Sequence, residues 1–118
     1  MPPVQPPARA HRLAGAGAYD AVFRCGQRSE GQYVQVIAAS ATADVGRAGY
    51  VIARKTLPRA VDRNYVRRRF RESVRALRPA IDGFDVILRL KRAANRSEQK
   101  AATLEAAQLL AALLRPGA

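Results

Sequence analysis

Pro58 and Pro79 bracket twenty residues whose pattern leaves little choice but helix. Proline is tolerated where a helix starts, and the residue before a proline avoids helical backbone, so the two prolines set both ends. The expected helix runs from about Arg59 to Leu77. At about 100° per residue, Val66, Phe70, Val74 and Leu77 gather within roughly 80° of arc, an apolar stripe that has to be buried. Arg67, Arg71, Asn64, Arg75 and Arg68 fill the neighbouring arc of about 100°, while Asp62, Glu72 and Tyr65 lie away from it. Arg63, Arg67, Arg71 and Arg75 are successive i, i+4 neighbours, and like charges at that spacing repel by about 0.2–0.5 kcal/mol per pair. An isolated helix gains nothing from this. A one-sided arginine ridge suits a phosphate chain better than a merely solvated face.

The rest of the chain supplies what the stripe packs against. Tyr19, Val22 and Phe23 stand at i, i+3 and i+4, which predicts a short first helix over Ala16–Cys25 stopped by Gly26. Gln32–Ala38 and Tyr50–Ala53 are rich in β-branched and aromatic residues and read as strands joined by a loop over Ala39–Val45, with a weaker edge strand at Gln27–Glu30. The Asp82-Gly83 turn leads into a strand over Phe84–Leu90, and Lys91–Arg96 is a basic loop. Ser97 is the expected N-cap of a last helix carrying Leu104, Leu109, Leu110, Leu113 and Leu114 and ended by Arg115-Pro116-Gly117. Four prolines among the first seven residues make residues 1 to about 11 a disordered extension, leaving 12–115 as a single domain. The element order reads as α+β, with helices packed on a small sheet.

Twenty-one Lys plus Arg against nine Asp plus Glu leave a net charge of +12, and self-repulsion of that size calls for a polyanionic partner, nucleic acid above all. Eighteen of the basic residues are Arg. Arg grips phosphate bidentately and stacks on bases, but an Ala- and Arg-rich composition also follows from a GC-rich genome, so where the arginines fall is more informative than their number. The lone Cys25 can form no intramolecular disulfide, and one His gives no Cys/His cluster of metal-ligand spacing. With no apolar run fit for a signal peptide or a membrane span, a cytoplasmic protein without membrane contact is expected.

Arg54-Lys55 at a strand end, then Arg63-Asn64, then Arg67, Arg68, Arg71 and Glu72 resemble the signature of bacterial ribonuclease P proteins, in which Lys-Lys is followed by Ala-Val-x-Arg-Asn-Arg-x-x-Arg-x-x-Arg-Glu. The resemblance extends from Arg12-Leu13 and the Tyr19-x-x-x-Phe23 helix to the final helix. It implies an αβββαβα two-layer sandwich like a ribosomal protein domain, with a left-handed βαβ crossover that general handedness rules would not give. It further implies that Arg67, Arg68 and Arg71 meet the catalytic RNA. Tyr19, Phe23, Val34, Val36, Arg54, Lys55, Arg63 and Asn64 would border a cleft for the single-stranded 5′ leader of precursor tRNA, where aromatic faces suit unstacked bases. Tyr19 and Phe23 serve equally well as core residues, since their stripe must bury something. On the helical wheel Arg63 projects near the middle of the apolar arc, toward the sheet and the side where the first helix would dock, so its guanidinium should line a groove or snorkel past the sheet edge. The chain departs from the family pattern at Tyr65 (usually Arg), Arg54 (usually Lys), Arg89 (usually apolar), and Gly15 and Gly17 (where a polar cap is common).

A nuclease acting alone needs a carboxylate cluster holding metal or a positioned acid/base pair. Asp62, Glu72, Asp82 and Asp85 form no such constellation by spacing, so no catalytic residue, and no metal or cofactor bound by the protein alone, is expected. The resemblance assigns the chemistry to the RNA subunit and its Mg²⁺, with that RNA and precursor tRNA as partners, no small-molecule ligand, and the protein adding substrate affinity and electrostatic screening. Composition leaves open a structural RNA-binding protein of ribosomal type, against which the Arg63-Asn64 signature argues.

Overall fold

The computed structural model describes residues 12–42 and 46–114, and the expected Pro-rich extension lies outside them. The elements are α1 (Ala16–Cys25), β1 (Gln27–Glu30), β2 (Val34–Ser40), β3 (Ala48–Val51), α2 (Ala60–Ala76), β4 (Phe84–Leu90) and α3 (Arg96–Leu113), with a short 3₁₀ turn at Ala80–Gly83 before β4. The four strands stand in the order β1-β2-β4-β3. β2 pairs antiparallel with β1 and β4, and β3 pairs parallel with β4, so α2 is the crossover of a βαβ unit between neighbouring strands. β3 is therefore an edge strand, met on its free side at one point, where the Leu13 amide donates to the Ala48 carbonyl at 2.9 Å.

Both faces of the sheet are covered. Val34, Val36 and Ala38 of β2 and Val86, Leu88 and Leu90 of β4 join Val66, Phe70 and Val74 of α2 and Ala102, Ala106 and Leu110 of α3 in the main core. Ile37 and Ile87 point the other way and pack with Leu13 and Val22, with Tyr19 and Phe23 alongside. The expected sheet-and-helix sandwich is present in α2 and α3, and α1 adds cover on the opposite face.

The starts of α1 and α3 are capped in different ways. α1 has no side-chain cap, because Gly15 enters it at φ 89°, a left-handed conformation that glycine adopts without strain. α3 is capped by Asn95 and not Ser97: the Glu98 amide donates to Asn95 Oδ1 and the Asn95 amide to Glu98 Oε1, both at 2.9 Å, a reciprocal capping box. The buried face of α3 is Gln99, Ala102, Thr103, Ala106 and Leu110, and Leu104 is 60% exposed.

Glu105 on the same helix reaches the β1–β2 turn, where its carboxylate accepts from the amides of Gln32, Tyr33 and Val34, each at 2.8 Å. The hairpin and the last helix are thereby locked together.

Candidate nucleic-acid interface

Positive charge concentrates where α2 passes the β3 edge. A cleft of about 510 Å³ opens there, bounded by Arg67, Arg71, Arg75 and Arg78 from α2 and the turn after it, Arg12 from the entering chain, and Tyr19 from α1. Leu13, Ala48, Gly49, Tyr50 and Val74 complete its lining, and none of the lining residues is acidic. Arg78 pairs with Asp82, and Arg67 Nη1 donates to Asn64 Oδ1 at 3.3 Å. Arg12, Arg71 and Arg75 make no ion pair or side-chain hydrogen bond among the described residues.

Two tyrosines converge on this space from opposite faces of β3. Tyr50 lies 6.3 Å from Phe70 between ring centroids, and burial pushes its phenol above the ordinary value against the pull of Arg71, Arg78 and Arg75. Tyr19 crosses the strand at Gly49, where a β-carbon would stand 2.4 Å from the Tyr19 hydroxyl oxygen. Only glycine lets the ring lie this close.

The expected site residues do not all group together. Arg67 and Arg71 border the cleft, and Arg68, exposed, lies outside it. Tyr19 joins Arg67 and Arg71, not the set expected to border a separate cleft, while Phe23 packs beside Val51 on the α1 side. Arg63 is not among the residues that bound this cleft: its Nη1 donates to the carbonyls of Leu57 and Pro58, both at 2.8 Å, tying the first turn of α2 to the segment before it. Nor is it on the side of α1, because α1 and α2 cover opposite faces of the sheet. Arg54 and Lys55 are exposed in the turn after β3.

Val34 and Val36 are misplaced by one position. Both are 0% exposed in the core under α2 and α3, and a shift of one residue along a strand exchanges its faces. On the α1 side the corresponding β2 residues are Gln35 and Ile37. Gln35 stands directly opposite Arg89 on β4, the one exposed residue in the interior of that strand, with Val51 of β3 next in the row. Arg12, Tyr50, Arg75 and Arg78 were not singled out from the sequence as cleft residues, although Arg75 and Arg78 continue the arc of Arg67 and Arg71 on the wheel.

Three of the four carboxylates that could have served chemistry are held in ion pairs, Asp82 with Arg78 as above. Asp85 Oδ1 accepts from the Arg47 amide at 3.0 Å, its Oδ2 pairs with the Arg47 guanidinium at 3.1 Å, and Glu72 pairs with Arg69. Among the described residues no three His, Cys, Asp or Glu side chains gather as a metal site, and no helix is long and apolar enough to cross a membrane.

A concave basic surface with aromatic walls, on which Arg12, Arg71 and Arg75 carry no counter-charge among the described residues, on an α+β scaffold, defines a protein built to hold nucleic acid. A family model for ribonuclease P matches residues 8–114. A ribonuclease P protein component of Chromobacterium violaceum is 39% identical over 106 residues, 90% of this chain and 87% of that one. One from Nitrosococcus oceani is 34% identical over 88 residues, 75% of this chain and 74% of the other. In fold the chain matches the RNase P protein of Staphylococcus aureus (TM-score 0.69, 20% identity, 88% and 92% of the two chains) and that of Thermotoga maritima (TM-score 0.66, 24% identity, 87% and 94%). The chain belongs to the ribonuclease P protein family, as a component of that ribonucleoprotein endonuclease. Nothing found favours the ribosomal-type alternative.

Proposed function

We propose that the chain binds the catalytic RNA subunit through the arginine-lined β3-edge cleft and the outward face of α2, and assists removal of the 5′ leader from precursor tRNA. The observation that carries this is the set of α2 guanidiniums with no carboxylate in the cleft lining. Arg67, Arg68 and Arg71 contribute to the RNA-subunit contact, joined by Arg75 and Arg12. The leader runs over the α1 side of the sheet, where Phe23 borders a row containing Gln35, Arg89 and Val51, with Arg54 and Lys55 in the turn after β3. Phosphodiester chemistry and Mg²⁺ belong to the RNA. Neutralising phosphates lowers the Mg²⁺ concentration at which the RNA folds and acts.

The test is reconstitution with a bacterial ribonuclease P RNA at low Mg²⁺. Precursor tRNA should be cut at its 5′ end faster than with RNA alone, and RNA-free protein should not cut it. Cleavage that survives exhaustive nuclease treatment and follows the protein through purification, or RNA activity indifferent to the protein, would overturn the proposal.

A further inference from the structure

We infer that Arg63 is a positioning residue: its guanidinium latches the turn between β3 and α2, and so sets where Arg54 and Lys55 meet the phosphates of the leader, without touching RNA itself. This rests on the leader path proposed above and adds a residue that acts through the charged end of that path.

The turn has two buried anchors and an exposed tip. Ile52 and Leu57 are buried, and between them Ala53, Arg54 and Lys55 are exposed. Val51 pairs with Arg89, so the tip stands at the end of the row over which the leader runs. On its near side the turn is closed by the Ala53 carbonyl, which accepts from the amides of Thr56 and Leu57, both at 3.0 Å. Its far side lacks such a closure of its own. The chain leaves through Pro58, which has no amide to donate, and enters α2 at Arg59, whose extended backbone carries no side-chain cap bond. Arg63 supplies the missing tie, with Nη1 holding the Leu57 and Pro58 carbonyls together at 2.8 Å. The position is a costly one for a cation. Arg63 is the fourth residue of α2, where the helix dipole disfavours positive charge, and no carboxylate pairs with it among the described residues. The two backbone bonds offset that cost, and the half-buried guanidinium is committed to them while Arg54 and Lys55 stand free in solvent. A turn fixed in advance lowers the ordering cost of binding.

The experiment is a double-mutant cycle on the holoenzyme reconstituted with a bacterial ribonuclease P RNA, reading its affinity for precursor tRNA with a leader and for mature tRNA across a salt series. Arg63→Met keeps the apolar stem and removes the donors. It should weaken binding of the leader-bearing precursor about tenfold, the scale of two solvent-screened charged contacts, and leave affinity for mature tRNA and for the RNA subunit as in the parent. A general loss of structure would lower all three. Arg54→Ala with Lys55→Ala should cause the same loss, and adding Arg63→Met to that pair should change neither the affinity nor its salt slope, because residues that act as one unit are not additive. A further loss in the triple variant, with the slope falling by about 0.7 for one more single-strand phosphate, would show that Arg63 grips RNA directly; it would overturn the latch and leave the leader path intact. No loss from Arg63→Met would overturn the latch too. Full leader discrimination after Arg54→Ala with Lys55→Ala would overturn both the latch and the leader path at this turn. Should Arg63→Met fail to fold, Arg63→Lys, which keeps the charge but not the two-carbonyl fork, carries the same cycle.

Discussion

The two long helices lie side by side under the same sheet, yet their polar groups are settled in opposite ways. On α3 the polar groups that meet the fold have partners inside it: Asn95 and Glu98 cap each other, Gln99 donates to the Ala94 carbonyl at 3.1 Å, and Glu105 holds three amides of the hairpin. On the cleft side of α2, Arg71 and Arg75 find none, and the wheel sets them beside one another. Polar groups satisfied internally hold a fold together, whereas like charges left uncompensated cost stability and make sense only when a partner completes them. One helix is finished by the chain itself and the other, on the function proposed above, by RNA.

The strongest way to break this comparison is to remove the cleft arginines. Arg71→Ala with Arg75→Ala should weaken binding to the RNA subunit by about 2–6 kcal/mol, at about 1–3 kcal/mol per lost charged contact. The slope of log affinity against log salt should fall by about 1.4–1.8 for two phosphates. Folding stability should stay within about 0.5 kcal/mol of the parent. Filter binding across a salt series and urea unfolding measure the two; a large stability loss would mean these arginines belong to the fold.

Glu105→Ala should do the converse. It leaves the Tyr33 and Val34 amides unpaired in half-buried and buried sites, at about 1–3 kcal/mol each, so about 2–6 kcal/mol of stability should be lost with RNA affinity of the folded fraction unchanged. A urea midpoint equal to that of the parent would show that water replaces the carboxylate.

A smaller effect should separate Arg68 from Arg71. Arg68 is exposed and outside the cleft, so Arg68→Ala should cost less RNA affinity than Arg71→Ala, under about 1 kcal/mol as for an exposed, salt-screened charge. Equal losses would show one undivided phosphate-binding face.

The smallest effect is in alkali. Burial raises the Tyr50 pKa in the fold, so its contribution is whole below the unfolded tyrosine value of about 10 and is lost as pH rises through the folded pKa. Tyr50→Phe should flatten the alkaline limb of the unfolding midpoint. An unchanged limb would place the effect on other groups.

What the sequence made legible follows from how local each signal is. α2 was readable because two prolines fix its ends and a single wheel sorts its residues. The faces of β2 were not. Five successive residues, Val34 to Ala38, are buried, since the sheet is covered on both sides, and the period-2 alternation that would mark the core face is lost. Val34 and Val36, which the family resemblance sets at the cleft, face the core under α2 and α3, and no alternation in β2 marks that face. The α3 cap was available, because Asn95-x-x-Glu98 is a capping-box spacing, but Ser97 is also a good cap residue. The cleft draws on four separate segments, and the approach of Tyr19 to Gly49 depends on packing that no local pattern records. The wheel located the α2 arginines and could not say which neighbours they share.

The clasp between Glu105 and the β1–β2 turn also sets a timetable. The amides it satisfies lie 71 to 73 residues earlier in the chain. On a ribosome adding about 5–20 residues per second, the turn is made several seconds before its anchor exists. The N-terminal half therefore cannot complete itself as it emerges, and a chain cut short before α3 should be cleared as an unfinished product. Co-translational protease sensitivity should end only when residue 105 has left the exit tunnel.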